Sequence, residues 1–130
     1  MARETMYELL ACWINDVMVR IDVNAIRALC FNLYENESIY SLELVGTPSY
    51  DKYDAEWACD EISDYGTRET PFCWKSKRDW KVNLNMIEKL VKQYIHEGSF
   101  IEDFKSLEAV AVGFVEGDLV IVYEKKKGCI

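Results

Sequence analysis

The sequence predicts an α+β fold: an antiparallel sheet of about five strands with two main helices packed largely on one face. Three observations predict it. Two segments carry apolar residues at helical spacing, two short runs alternate large apolar with smaller or polar residues, and the last apolar stretch has the form of a β-hairpin. The length of 130 residues fits a single domain over residues 1–130.

The first element is a helix predicted over residues 3–18. Its apolar residues recur at i, i+3, i+4, i+7, i+8 and i+11, which makes one continuous stripe along a helix. The stripe consists of Met6, Leu9, Leu10, Trp13, Ile14 and Val17. We expect it, Trp13 included, to belong to the core.

Two strands follow the first helix. Leu29, Phe31 and Leu33 alternate with smaller or polar residues in one of them, and Tyr40, Leu42 and Leu44 do so in the other. The connector between them, residues 35–38, is short and polar, which predicts an antiparallel hairpin. Residues 55–62 are a candidate third strand of this meander, although acidic residues disfavour strands.

A second helix is predicted over residues 84–97. Its apolar face consists of Leu84, Ile87, Leu90, Val91, Tyr94 and Ile95. Asn83 or Asn85 is the expected N-cap, and Gly98 is expected to end the helix in the left-handed conformation.

The last element, VAVGFVEGDLVIVY (Val110–Tyr123), predicts a hairpin with Glu116–Gly117 as a two-residue turn. Six large residues then share one face as cross-strand pairs: Phe114 with Leu119, Val112 with Ile121, and Val110 with Tyr123. The helices should pack on that face. The opposite face has smaller side chains, and it is expected to be either partly exposed or covered by something else.

Charge and composition narrow the classes of function. The net charge of −8 disfavours nucleic acids and anionic membranes, whose binding depends on Lys and Arg, and it favours a basic protein partner. That the acidity only keeps a cytosolic protein soluble is an alternative of about equal weight. No signal-peptide pattern and no apolar run of membrane-spanning length is found, so we expect a cytoplasmic protein.

The cysteine and histidine content disfavours several chemistries. Five cysteines without CxxC spacing indicate a reduced compartment, with Cys12 and Cys30 expected to be buried thiols. His96 is the only histidine, which leaves no zinc ligand set and no well-placed base for a Ser or Cys nucleophile. We therefore expect no enzyme activity, no metal and no cofactor.

The stretch Tyr50–Glu69, the acidic segment, is the most informative part of the chain. Seven carboxylates face only Lys52 and Arg68, and four aromatic rings lie among them. Carboxylates supply negative charge and aromatic rings supply contact area, and together they indicate a protein-binding surface. The predicted partner-binding residues are Asp51, Tyr53, Asp54, Glu56, Trp57, Asp60, Glu61, Asp64 and Tyr65. The Trp57 ring either anchors the acidic segment to the body or reaches a partner, with equal weight.

Charged residues can also bind a metal ion, catalyse glycoside hydrolysis or bind a nucleic acid. The carboxylates of the acidic segment lack EF-hand spacing, and no cleft for a glycosidase pair can be inferred. A basic run beside Trp74 and Trp80 resembles a small nucleic-acid patch. It consists of Lys75, Lys77, Arg78 and Lys81. The overall charge argues against nucleic acid, and a solvated helix start is the preferred interpretation.

The layout, with DAEWACDE (Asp54–Glu61) and the closing hairpin, resembles the small immunity proteins of bacterial polymorphic toxin systems, including contact-dependent inhibition. The resemblance covers most of the chain in layout and is specific only at Glu56–Glu61 and at the hairpin. It implies a non-enzymatic, cytoplasmic protein that binds one cognate toxin domain and blocks it. Such toxins are often basic nucleases.

Two rival functions stay open. One is a small-ligand-binding or hydrolytic enzyme domain that uses residues 51–64. The other is a structural adaptor that self-associates through the small-residue face of the last hairpin. We expect a monomer, with a homodimer as the alternative.

Overall fold

A computed structural model describes residues 5–115 and 117–125, and within these residues it shows an α+β fold with five strands and three α-helices. The strands are β1 (Ala28–Asn36), β2 (Ile39–Thr47), β3 (Phe72–Lys75), β4 (Ala109–Phe114) and β5 (Val120–Glu124). The helices are α1 (Met6–Met18), α2 (Trp80–Glu97) and α3 (Ile101–Lys105), with short 3-10 helices at Val23–Ala25 and Ala55–Cys59.

The five strands form one mixed sheet in the order β3-β2-β1-β4-β5. The predicted hairpin of β1 and β2 is confirmed as antiparallel. The expectation of a wholly antiparallel sheet is wrong at one place, because β1 pairs with β4 in parallel. Parallel neighbours need a long crossover, and here the crossover carries α2 and α3. Local patterns predict hairpins, but they do not reveal which distant strands pair.

The helices pack on one face of the sheet, and the main core lies there. The large side chains of β1 and β2 that alternate in the sequence point into this core, as predicted. From α1 the core receives Leu10, Ile14, Val17 and Met18. Trp13 lies at its margin, partly buried, and Leu9 from the predicted stripe is 45% exposed. The stripe is therefore rotated slightly from the predicted one. The predicted start at residue 3 lies outside the described residues.

The start of α2 and the conformation of Gly98 after it differ from the prediction, whereas the last residue, Glu97, is as predicted. The helix begins at Trp80, and Asp79 is the N-cap, whose carboxylate accepts from the Val82 N–H. Asn83, one of the two predicted caps, is buried and accepts from the Trp74 indole at 2.8 Å. Gly98 has φ −73°, so it does not end the helix in the left-handed conformation. A Cβ at Gly98 would lie 2.6 Å from the Tyr94 ring, and this close approach explains the glycine.

The β4–β5 pairing departs from the predicted register after one pair. Val110 faces Tyr123 as predicted, but the next pairs are Ala111 with Ile121 and Val112 with Val120. Val122 is thus an extra residue, a β-bulge that changes the face on which the preceding residues of β5 lie. Ile121 is consequently 40% exposed. Glu116 of the predicted turn lies outside the described residues.

Two further segments differ from their predictions. Residues 55–62 do not form a strand of the meander, because Ala55–Cys59 is a 3-10 helix. The third strand of the meander is β3 instead. Of the basic run, Lys75 lies in β3, whereas Lys77 and Arg78 precede the cap of α2 and Lys81 lies in its first turn, so the predicted solvated helix start is confirmed for those three. A four-residue strand is too short for a clear period-two pattern.

No helix in residues 5–115 and 117–125 combines the length and apolarity that a membrane crossing needs.

Candidate functional site

The first part of the acidic segment, residues 50–60, lies over the sheet face opposite the helices, and the second part is residues 61–69. The buried side chains on that face are small, so they leave room for a ring: Ala28, Cys30, Val45, Ala109 and Ala111. The Trp57 indole packs into this shallow apolar area and is 5% exposed. Of the two roles considered for Trp57, the structure shows the anchoring one. On the small-residue face predicted for the last hairpin, Ala111 lies under this segment, whereas Val115 is 51% exposed and Val122 packs against the main core instead.

Tyr50 is a second anchor, which the predicted site did not include. Its ring meets the Trp57 ring edge to face at a centroid distance of 5.2 Å. Its hydroxyl donates a hydrogen bond to the carboxylate of Glu124 on β5. Burial and this hydrogen bond raise the pKa of the Tyr50 phenol well above its usual range. Two rings seven residues apart in an acidic stretch, Tyr50 and Trp57, could have indicated a pair of anchors from the sequence. The contact of Tyr50 with Glu124 on β5 could not have been predicted, because the two residues are far apart in the chain.

The acidic residues shape the loop between these anchors. The Asp51 carboxylate accepts from the Tyr53 N–H at 2.9 Å, and the Asp54 carboxylate accepts from the Glu56 N–H at 3.0 Å. Aspartate stabilises turns and helix starts in this way. Asp51 and Asp54 stay exposed while they do so. They therefore contribute negative charge at the surface as well as loop geometry.

An open depression of about 520 Å³ lies over the first part of the acidic segment. Its lining residues are Ser49, Tyr50, Asp51, Asp54, Glu56, Trp57, Cys59 and Asp60. Asp51, Asp54, Glu56 and Asp60 are exposed, and none of them forms an ion pair with another described residue. These four are called the open acids below. Tyr53 is 88% exposed, with the Lys52 ammonium 5.4 Å from its ring centroid.

The second part of the acidic segment is bound to the edge of β2. The Leu44 N–H donates to the buried Thr67 hydroxyl at 3.0 Å, and the Gly46 N–H donates to the Ser63 carbonyl at 3.0 Å. Residues 62–67 thus satisfy the strand edge where β3 does not reach it. The three predicted site residues in this part, Glu61, Asp64 and Tyr65, all have internal contacts.

Each of the three residues has a structural role inside the protein. Glu61 forms a short ion pair with Arg68, whose guanidinium also meets Glu43 at 3.1 Å. Asp64 accepts from the Gly66 N–H at 3.2 Å in the following turn. Tyr65 has φ 53° and lies partly buried against Gly46, where a Cβ would overlap its hydroxyl. The structure therefore divides the predicted site into an outward half and an inward half.

Cys30 lies beneath Trp57 and is fully buried, as predicted, whereas Cys12 is exposed, which corrects the expectation for that residue. Burial raises the pKa of the Cys30 thiol to about 12. A protonated, covered thiol is a poor nucleophile at neutral pH. Among the described residues, no group of three His, Cys, Asp or Glu side chains is arranged to hold a metal ion.

No protein-family model, curated protein or solved structure matches this chain. What can be said about function therefore comes from the fold and from the surface itself. The class that these define is a small α+β domain with an acidic, ring-anchored surface over one face of its sheet.

Proposed function

We propose that this protein is a non-catalytic inhibitor, of the kind represented by immunity proteins, that binds a basic toxin domain through the open acids. One observation carries the proposal: four exposed carboxylates surround one depression without a cationic partner in the described part of the chain. Like charges held together repel one another, so this arrangement costs stability unless a partner of opposite sign compensates it.

The anchoring of the loop supports a binding role. Trp57 and Tyr50 fix the loop to the sheet, and two aspartates fix its turns. A loop that is already ordered loses little conformational entropy when a partner binds. The charges are therefore held in position before the encounter, which favours fast, salt-sensitive association.

Tyr53 supplies the contact area that the carboxylates lack. Its side chain is 88% exposed, and it lies between Asp51 and Asp54 in the sequence. Exposed tyrosines are enriched at interfaces because they bury a large rigid ring and also offer a hydroxyl. Trp57 is covered, and its contribution to an interface is to hold the open acids in place.

A cationic small ligand is the second candidate. The depression of about 520 Å³ falls in the size range of ligand sites, and carboxylates line it. Its openness favours a protein, because small-ligand sites bury most of the ligand surface. The hydroxyl of Tyr50, which lines the depression, already donates to Glu124.

The experiment is capture followed by neutralisation. The tagged protein is used to capture partners from its native cells, and each captured domain is then expressed in a host with and without this protein. The proposal expects a basic domain that stops growth alone and is tolerated on co-expression. If every captured protein is harmless to the host, or no captured domain is basic, the inhibitor function is wrong.

The matched variants remove charge without removing hydrogen bonds. Replacing the open acids as D51N/D54N/E56Q/D60N keeps the oxygens that accept from the Tyr53 and Glu56 amides. The control is D16N/E69Q/E97Q/E102Q, which removes the same four charges at other exposed positions. The first variant should lose neutralisation and most of the salt dependence of association, and the control should keep both. Equal loss in the two variants would move the binding site elsewhere.

A further inference from the structure

The sheet has an open edge at β3, on the other side of the molecule from the Tyr50–Glu124 contact. β3 is the last strand in the sheet order, and no described element pairs with its outer side. Its burial alternates: Phe72 and Trp74 are partly buried, while Cys73 and Lys75 are exposed. The rest of this side of β2 is already satisfied by residues 62–67.

The hydrogen-bond register shows which backbone groups of β3 point outward. The Ser76 N–H donates to the Ser38 carbonyl at 2.9 Å, in continuation of the β2–β3 register. In an antiparallel pair, alternate residues direct both N–H and C=O to the partner strand. Phe72 and Trp74 therefore face β2, and Cys73 and Lys75 direct their N–H and C=O groups away from the sheet. Neither residue has another backbone hydrogen bond within residues 5–115 and 117–125.

This edge is basic in an otherwise acidic protein. Residues 72–78, the basic edge, read FCWKSKR and contain Lys75, Lys77 and Arg78 without a carboxylate. All three cations are exposed, and none forms an ion pair with another described residue. Among the acids around it, Asp79 follows Arg78 directly and caps α2, and Glu35 accepts at 2.6 Å from the Tyr40 hydroxyl that also lies 3.1 Å from the Arg78 carbonyl. Glu37 lies in the β1–β2 turn. That turn lies about two strand spacings, roughly 10 Å, from a strand added outside β3, which is about one Debye length at 0.1 M salt.

We propose that the basic edge is a second docking surface, which takes an extended acidic segment of a protein partner as a sixth strand beside β3. The backbone groups of Cys73 and Lys75 form the hydrogen bonds with the added strand, and the three cations favour a segment with negative charge. Strand addition at a sheet edge uses main-chain hydrogen bonds for affinity and side chains for specificity. This surface is separate from the open acids and does not depend on the proposed inhibitor function.

Charge decides among the possible occupants. A second copy added through β3 brings two basic edges together, and like charges at an interface are repulsive. A nucleic acid offers phosphates but no strand to pair with the backbone groups, and the net charge of −8 repels it. An acidic β-strand satisfies both the backbone groups and the cations.

The test uses two acetylated peptides of equal length, one alternating Glu and Val and one alternating Lys and Val, titrated into the ¹⁵N-labelled protein. The Glu peptide is expected to shift and protect the Cys73 and Lys75 amides, and the Lys peptide is not. K75Q/K77Q/R78Q should weaken binding of the Glu peptide roughly tenfold. The control K89Q/K105Q/K125Q removes three exposed cations elsewhere and should leave binding unchanged.

A backbone variant separates strand addition from simple charge attraction. Cys73→Pro removes an N–H that points to solvent, a position where an edge strand tolerates proline, and it should abolish peptide binding. Cys73→Val keeps the N–H and should bind like the wild type. If Cys73→Pro does not fold, the lysine variants and the amide shifts still decide the question. Equal binding of both peptides, shifts away from the basic edge, preference for an oligonucleotide, or self-association that already protects these amides would each overturn the proposal.

Discussion

The two parts of the acidic segment have similar composition and opposite structural roles. In residues 50–60, two rings hold the chain on the sheet, and the open acids point outward without cationic partners in the described structure. In residues 61–69, Glu61 is paired with Arg68, and Asp64 accepts a backbone hydrogen bond. Acidic composition alone therefore does not identify a protein-binding surface. What distinguishes a candidate interface is charge that the fold leaves uncompensated.

The difference follows from what each part lies against. Residues 62–67 run along the edge of β2, where unpaired backbone groups need partners, so side chains such as Thr67 are used for hydrogen bonds. Residues 50–60 lie over a sheet face of small apolar side chains, which Trp57 covers with one ring. Asp51 and Asp54 then shape only their own turns, and Asp60 accepts from the Ser49 hydroxyl at 3.4 Å.

The largest expected effect comes from removing the anchor of the first part. Trp57→Ala should lower the free energy of unfolding by about 3 kcal/mol, because a buried indole leaves a cavity and exposes apolar surface. Tyr53→Ala, four residues earlier and almost fully exposed, should change it by less than about 0.5 kcal/mol. Urea denaturation of both variants measures the difference. Equal effects would mean that Trp57 does not hold this part on the sheet.

The covered thiol makes the first part sensitive to alkali. Because the native pKa of Cys30 is raised to about 12 from an ordinary value of 9.0, the native state keeps its proton longer than the unfolded state. This stability is complete below pH 9 and is lost as the pH rises towards 12. Between pH 9 and 10 we expect a loss of about 1 kcal/mol. The measurement is urea denaturation at both pH values, and Cys30→Ala should lose about 1 kcal/mol less than the wild type, since phenols with a raised pKa, such as Tyr50, remain in both proteins. An identical loss in the variant would assign it to other groups.

The ion pair of the second part should contribute modestly. Glu61→Gln removes the partner of Arg68 and should lower the free energy of unfolding by about 0.5–1 kcal/mol at low salt, since both groups are partly exposed and screened by solvent. Molar salt should remove most of the difference from the wild type. Thermal unfolding at two salt concentrations checks this, and an effect that does not depend on salt would contradict an ion-pair origin.

The smallest expected effect has the opposite sign and sharpens the comparison. Neutralising the open acids as D51N/D54N/E56Q/D60N should leave stability unchanged or raise it by up to about 0.5 kcal/mol, because mutual repulsion is relieved. Denaturation at low salt measures it. A clear loss of stability would show that these carboxylates have compensating internal partners, and the contrast with Glu61 would then disappear.

The local elements of this protein follow from the amino-acid sequence alone. The helical stripes, the β1–β2 hairpin and the pair Val110–Tyr123 depend on neighbours in the chain, and their periodicity is visible in the residues. The concentration of acids and rings in the acidic segment is visible in the same way, and it pointed to the region that contains the depression. Such features follow from short-range geometry, which sequence spacing encodes.

The long-range features depend on contacts between segments that are distant in the chain. The parallel pairing of β1 with β4 depends on the crossover through α2 and α3, and the bulge at Val122 lies where Val122 and Tyr123 pack against the main core. The same holds for Trp57, because the small side chains that receive its ring come from the β1–β2 hairpin and from β4, which lies far from that hairpin in the chain. Whether a carboxylate meets a cation depends on such distant neighbours. For that physical reason, only the folded chain separates Glu61 from the open acids.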